Sequence, residues 1–483
     1  MKRKAGILLP ITALPSKYGV GDFGKEAYEF VDLIKQAGFK VWQILPLNPL
    51  GYGNSPYQPY SSMAMDEIYL SLDLLAEAGY LEGETLKKFN TKLNKVEYEA
   101  VREFKQEYVE KAVDGFKENK KFHVFLNFAW VKPYAAFMCL KARNEGCWNT
   151  WDEAELSLMD EANWDEEFRK QAYRVMVKQY LLYEQWLSVK KYANKKGIEI
   201  IGDLPIYMGL DSVEVLTNQK CFLLDDDGRP TFIAGVPPDY FSETGQRWGN
   251  PIYDWDYLSK TGYRFWLDRL EYNAQLYDCI RIDHFRAFDT YWKINADCET
   301  AIDGVWEYAP GYDFFDTMFE KLPQVSIIAE DLGDLRKEVL DLRDYCGFPG
   351  MKVLQFTFDP KEKNNDFEDV ENMIIYTGTH DNQTIRGWYS DQKGYTKSLV
   401  RNYFKKHHYE SSKVSENFIA LTLDSIAFLA VIPMQDILNL DDSARFNTPG
   451  TLGSPNWEWK LTSFNDFKQK IDMMRKLIKK AKR

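Results

Sequence analysis

Eight short β-rich runs, each bounded by turn residues and followed by helical periodicity, constrain this chain more than any other feature. They span 5–9, 41–47, 198–204, 279–283, 326–330, 352–358, 373–377 and 428–434. Most are nearly continuous in Val, Ile and Leu, as strands are when both faces are covered. After the first run, Phe23, Ala27, Phe30, Val31 and Ile34 recur at helical spacing, and Gly38 is placed to end that helix. Further helical patterns cover 173–195, 263–277, 312–322 and 335–345. Parallel strands need crossover helices, and eight of them close a sheet on itself. The pattern therefore predicts an α/β fold, a (β/α)8 TIM barrel.

A bare barrel takes roughly 250 residues, and this chain has 483. The surplus is assigned to large insertions after strands 2 and 3. One spans about 48–170 and is largely helical, with a charged middle at 84–117; the other spans about 205–262 and is rich in Gly, Pro and aromatics. A long irregular segment of that kind is expected to act as a loop-rich lid. No repeat, low-complexity tract or polar linker intervenes, so 1–483 is expected to be a single catalytic barrel domain carrying both insertions.

Charge narrows the partners. Lys and Arg number 61 against 73 Asp and Glu, a net charge of −12 with no basic tract, which disfavours nucleic acid. No apolar run reaches about 18 residues, so no membrane span is expected. Met1-Lys2-Arg3-Lys4 and the apolar stretch after it mimic a secretory signal, but Pro10 and Pro15 break the run and no small-x-small site follows. Six scattered cysteines without a C-x-x-C pair suit a cytoplasmic chain with reduced thiols. Aromatics make up 15%, which fits either a core or a groove that stacks on sugar rings.

In this fold, reactive groups gather at the C-terminal ends of the strands. The fourth run ends Arg281-Ile282-Asp283-His284, the fifth Ala329-Glu330-Asp331, and the seventh Thr379-His380-Asp381-Asn382. Any one of these acids could be a helix cap; three on one rim, each beside a polar or cationic residue, point to a catalytic cluster. Arg281 and Asp283 are two apart and share a face, so the guanidinium is expected to depress the Asp283 pKa and keep a nucleophile ionised. Glu330 follows Ile327-Ile328-Ala329, and desolvation there is expected to raise its pKa, as a general acid needs. Two oppositely tuned carboxylates are what glycosidic bond cleavage uses. No His-x-His or His-Cys cluster exists, so neither a metal nor another cofactor is expected. Gly19-x-Gly21-x-x-Gly24 matches a dinucleotide loop, but the second strand ends Pro46-Leu47-Asn48 without the ribose-binding acid, and a packing turn is the better reading. Asp225-Asp226-Asp227-Gly228 lacks the later ligands of a calcium loop and reads as a hairpin turn.

At these motifs the sequence resembles the amylomaltase family of 4-α-glucanotransferases, or disproportionating enzymes, of glycoside hydrolase family 77. The stretches are LPSKYGVGDFG (14–24), WQILPLNP (42–49), GNSPYQPYSS (53–62), IIGDLPIY (200–207), GVPPDYFSETGQRWGNPIYDW (235–255), RIDHFRAF (281–288), IIAEDLG (327–333), TGTHDN (377–382) and ARFNTPG (444–450). The resemblance implies an α-amylase-type barrel and the retaining transfer of α-1,4-glucan segments from a maltodextrin donor to the 4-OH of an acceptor glucan or glucose. An α-amylase-like hydrolase is the alternative. Carried over by motif, Asp283 is the nucleophile, Glu330 the acid/base and Asp381 the transition-state stabiliser; Arg281 and His380 flank the reacting sugar. Ser55, Tyr57, Asp239, Trp248 and Asn447 line the substrate site, with Phe241 and Trp248 as stacking faces. Implied partners are maltodextrins, starch or glycogen chains and glucose. The sequence departs from the family after Ser62, where Met63-Ala64-Met65-Asp66-Glu67 replaces an Asn-Pro pattern, and around Trp130–Tyr134, where an acidic pair is replaced.

Overall fold

The computed structural model describes residues 2–89, 93–238, 242–333, 335–358 and 369–483. Among them twelve strands form two sheets. In chain order these are β1 (Lys4–Leu8), β2 (Val41–Gln43), β3 (Glu199–Leu204), β4 (Phe232–Val236), β5 (Gln246–Pro251), β6 (Cys279–Ile282), β7 (Thr290–Asn295), β8 (Gly304–Tyr308), β9 (Ile327–Ala329), β10 (Gly350–Val353), β11 (Met373–Tyr376) and β12 (Leu429–Pro433). Eight of them pair in parallel in the order β10-β11-β12-β1-β2-β3-β6-β9. The two ends meet where the Ala329 N–H donates to the Pro349 carbonyl (3.1 Å) and the Met351 N–H to the Asp331 carboxylate (2.6 Å). The result is a nearly closed, eight-stranded parallel barrel.

Each barrel strand overlaps one of the eight predicted runs, and β2 and β10 depart from theirs by more than one residue. β2 stops at Gln43, ahead of Pro46 and Pro49, which have no N–H to give a ladder. β10 begins at Gly350, and Leu354–Thr357 coils into a helical turn beyond the last pair, Val353 with Tyr376. Pairing ends because β11 ends; Gln355 then turns its amide to the Gln383 carbonyl (2.7 Å).

Leu8, Val41, Ile201, Ile328, Met351, Val353, Ile374, Tyr376, Leu429 and Val431 fill the barrel interior. A larger apolar layer, including Phe30, Trp42, Trp186 and Trp266, lies between barrel and helices. The helix Lys25–Ala37 turns its Ala27, Phe30, Val31 and Ile34 inward and ends at Gly38, whose φ of 98° is a conformation glycine takes without strain. The long helix Glu166–Lys195 starts at Asp165, whose carboxylate accepts the Phe168 N–H (2.7 Å). Residues 44–198 hold several helices, among them Tyr98–Gly115 and Val131–Arg143.

The 205–262 stretch carries β4 and β5, and these pair with β7 and β8 from the β6–β9 crossover in an antiparallel sheet ordered β5-β4-β7-β8. Strand pairing between two different crossovers has no signature in either segment alone. The glycine-rich turn is a packing device: a Cβ on Gly21 would fall 1.9 Å from the Ile11 carbonyl oxygen. At Asp225 the carboxylate accepts the N–H groups of Asp227 (3.0 Å) and Arg229 (2.8 Å), closing a hairpin turn. No described helix is long and apolar enough to cross a membrane, and the six cysteines are unpaired.

Candidate active site

Strand register decides which acids meet. Arg281 pairs with Ile328 across β6 and β9, and Ile328 belongs to the barrel interior. Two residues further along each strand, Asp283 and Glu330 face the same way, at the C-terminal mouth of adjacent strands, which lie about 4.8 Å apart. Their backbones are tied in step: the Glu330 N–H donates to the Ile282 carbonyl (3.1 Å) and the Asp283 N–H to the Leu204 carbonyl (3.0 Å).

Arg281 is the hub. Its Nη1 donates to both oxygens of Asp203 (2.7 and 2.8 Å), its register partner on β3, and its Nη2 lies 2.9 Å from Asp283 Oδ1. The Tyr57 hydroxyl donates to Asp203 Oδ2 (2.7 Å) and lies 2.9 Å from His380 Nε2. A hydroxyl has one proton, so His380 Nε2 is the donor in that second contact. The Tyr57 and His380 rings stack at 5.3 Å, and Trp457 packs against both. His380 Nε2 also lies 3.4 Å from Asp381 Oδ2, while Asp381 Oδ1 accepts from Asn447 Nδ2 (2.6 Å). Arg445 fixes the backbone beneath them, donating to the Asp381 and Asn447 carbonyls (2.6 and 2.7 Å). The holders are buried and the carboxylates sit in an enclosed mouth with part of their surface open: Arg281 is 4% exposed at its side chain, Asp283 32% and Asp381 41%.

Glu330 is gripped by backbone. Its Oε2 accepts the His284 N–H (2.7 Å) and its Oε1 the Leu332 N–H (3.0 Å). His284 can aim its N–H there because it sits in the left-handed region, φ 53°. Its ring packs edge to face on Trp248 at 4.9 Å, and burial lowers its pKa to about 4, so it is neutral near pH 7. Burial lifts Glu330 to about 7, against the pull of Arg281 and with a further push from Asp283. Asp283 departs from the expectation. Its pKa is raised, because burial and the nearby Asp203 and Asp381 carboxylates outweigh Arg281. Arg281 divides its charge between two acids, which the sequence spacing did not reveal.

Of the predicted substrate residues, Tyr57, Arg281, His380 and Asn447 join this network. Trp248 reaches it through His284. Ser55 Oγ accepts the Tyr57 N–H (3.3 Å), holding the turn that presents Tyr57. Asp239 and Phe241 lie outside the described residues. No group of three or more His, Cys, Asp or Glu side chains among the described residues could hold a metal ion.

The sequence pattern described as 4-alpha-glucanotransferase matches residues 9–465. A 4-alpha-glucanotransferase of Streptococcus pneumoniae is 41% identical over 476 residues, covering 95% of this chain and 94% of that protein. The chain belongs to the 4-alpha-glucanotransferase family. Members of this family are glycosyltransferase-type enzymes, and this chain is one of them. Among solved structures, the amylomaltase from Streptococcus agalactiae in complex with acarbose matches with a TM-score of 0.93 at 37% identity, covering 100% of both chains. An α-amylase from Geobacillus thermoleovorans shares the fold at a TM-score of 0.50 and 11% identity, covering 99% of this chain and 78% of that one. The barrel of this 4-alpha-glucanotransferase family member is thus of the α-amylase type.

Sequence reasoning passed over Asp203, Trp457, Arg445 and the backbone role of His284. Asp203 had a signal: like the acids that were singled out, it closes a strand, within IIGDLPIY. The other three depend on contacts between segments far apart in the chain.

Proposed function

We propose that this enzyme transfers α-1,4-glucan segments from a maltodextrin donor to the 4-OH of a glucan or glucose acceptor, by retaining double displacement. Asp283 attacks the anomeric carbon while Glu330 protonates the departing glycosidic oxygen, leaving a covalent glycosyl-enzyme. Glu330, now a carboxylate, accepts the proton of the acceptor 4-OH as that oxygen displaces Asp283. Asp381 bonds sugar hydroxyls, and those bonds tighten as the ring flattens toward the transition state. Arg281 holds the Asp283 carboxylate, and His380 lies against Asp381. Trp248 offers an aromatic face to an acceptor ring, so that a sugar is held where water would otherwise attack.

The observation that carries this reading is one buried guanidinium joining Asp283 to the Tyr57–His380–Asp381 network while the neighbouring Glu330 is lifted to about 7. A nucleophile, a stabilising acid and an acid poised near neutral pH then share one rim. Incubation of the full chain with maltotriose tests it. Longer oligosaccharides together with glucose are the expected products; shortening without elongation would make the enzyme an α-amylase-like hydrolase and overturn the reading. The pH profile follows from the same group. Glu330 must enter the first step protonated, so kcat/KM should fall as pH rises through about 7.

A further inference from the structure

The large side chains this protein exposes are not scattered. Of the thirteen large hydrophobic residues with open surfaces among the described residues, seven lie between 302 and 345: Ile302, Val305, Trp306, Tyr308, Tyr312, Phe319 and Tyr345. Scattered single residues of this kind need no explanation, whereas a contiguous patch marks an interaction surface.

Four of the seven, Trp306, Tyr308, Tyr312 and Tyr345, are rings that pack on one another or on charged groups. Trp306, on edge strand β8, has the Arg286 guanidinium over its ring at 3.8 Å and Trp292 packed edge-on at 5.1 Å. Tyr308 is two residues further on the same face, with Arg336 at 5.3 Å from its ring. Arg336 Nε lies 3.5 Å from Asp289. Beyond it, Tyr312 and Tyr345 meet at 5.0 Å, and the Tyr345 hydroxyl donates to Asp316 (2.7 Å). Trp306 is 39% exposed and Tyr308 73%, so each is held by the protein and open to solvent.

The inner end of this band is anchored on the turn that holds Glu330, since Arg286 lies over the Trp306 ring and its charge acts on His284. Arg286 follows His284 by two residues in the turn whose N–H grips Glu330. Flat aromatic surface whose guanidinium groups already lie over its own rings, Arg286 on Trp306 and Arg336 near Tyr308, suits a neutral, polyhydroxylated chain better than an anion or an apolar protein face. We propose that the Trp306–Tyr308–Tyr312–Tyr345 band is an accessory platform for long α-glucans, along which the part of a chain outside the catalytic cleft lies. The proposal rests on the functional reading above and names a substrate preference within it. A second contact on the same chain raises the local concentration of glucan at the cleft, so the band favours long substrates over short ones.

The test compares wild type with Trp306→Ala/Tyr308→Ala on amylose and on maltotriose. The ratio of kcat/KM on amylose to that on maltotriose should fall ~10-fold in the variant, about the loss expected of two stacked rings. Tyr345→Ser, at the end of the helix Lys337–Tyr345 and outside β8, should lower the same ratio and serves if the double variant does not fold. Retardation of the full chain in amylose-containing native gels provides a readout without turnover. Asp283→Asn protein should be retarded, and less so with Trp306→Ala/Tyr308→Ala added. An unchanged ratio with unchanged retardation would overturn the platform. So would a wild-type dimer in sedimentation that the double variant splits, since β8 would then be a subunit edge. Failure of wild type on maltotriose would instead count against the functional reading, and the gel would still decide the platform.

Discussion

At the scale of single residues, the site works by dividing one cation among several anions. Arg281 gives two hydrogen bonds to Asp203 and one contact to Asp283. Asp283→Asn should lower kcat by ~10³-fold or more with circular dichroism unchanged, because no other nucleophile is in place. Near-normal activity would remove Asp283 from the mechanism. Glu330→Gln should retain turnover on donors with good leaving groups and lose it on maltodextrins, since only the natural leaving group needs a proton. His284 offers a sharper test of positioning. Its left-handed backbone, φ 53°, directs an N–H to Glu330 Oε2 at 2.7 Å, and that donor favours the carboxylate form. A β-branched side chain resists this conformation and glycine accepts it. His284→Val should therefore cost ~10-fold or more in kcat/KM and move the alkaline limb upward, whereas His284→Gly should leave the limb in place. A purely structural residue would lower the rate in both variants without moving the limb.

At the scale of elements, the loop after β11 carries His380 and Asp381 and is braced from behind by Asp436, at the start of the short helix Met434–Leu438. Asp436 accepts the Thr377 hydroxyl and the Ile385 N–H (2.8 Å). It is buried, and burial lifts its pKa to about 6 from an ordinary 3.8. A carboxyl raised in the folded state contributes its full stability below about pH 4 and loses it as pH rises through about 6. Asparagine keeps the Ile385 N–H bond through its Oδ1, donates from Nδ2 to the Thr377 hydroxyl as the protonated acid does, and does not titrate. Asp436→Asn should thus match wild type in stability near pH 4 and exceed it near pH 8 by on the order of 3 kcal/mol, read from thermal melts. A lower midpoint at pH 8 would mean that the ionised carboxylate is needed. Element boundaries show where local reading ends: the Gly38 stop of the first helix is chemistry of one residue, while the end of β10 is set by the length of β11.

At the scale of the whole molecule, the first insertion is joined to the barrel by a buried ion pair. Lys105, on the helix Tyr98–Gly115, lies 3.7 Å from Asp22 in the β1 crossover and donates to the Ile68 carbonyl (2.6 Å). Burial lifts Asp22 to about 6 and pulls Lys105 down. Lys105→Met would strand the carboxylate, at a cost of roughly 3 kcal/mol at pH 8 and less at pH 5, where Asp22 takes up a proton. Adding Asp22→Asn should recover much of that loss in thermal melts; no recovery would place the effect in packing.

The sequence alone determined the barrel, because strand and helix periodicity are written in consecutive residues. It also marked the strand ends where acids accumulate, because in a parallel barrel those ends share one rim. The tertiary structure alone decided that Arg281 serves Asp203 as well as Asp283, that β4 and β5 complete a sheet with β7 and β8, and that Glu330 is held by the backbone of His284. Each of these depends on distant segments brought within a few ångströms, where burial and neighbouring charge set a group's chemistry, and no local pattern encodes that distance.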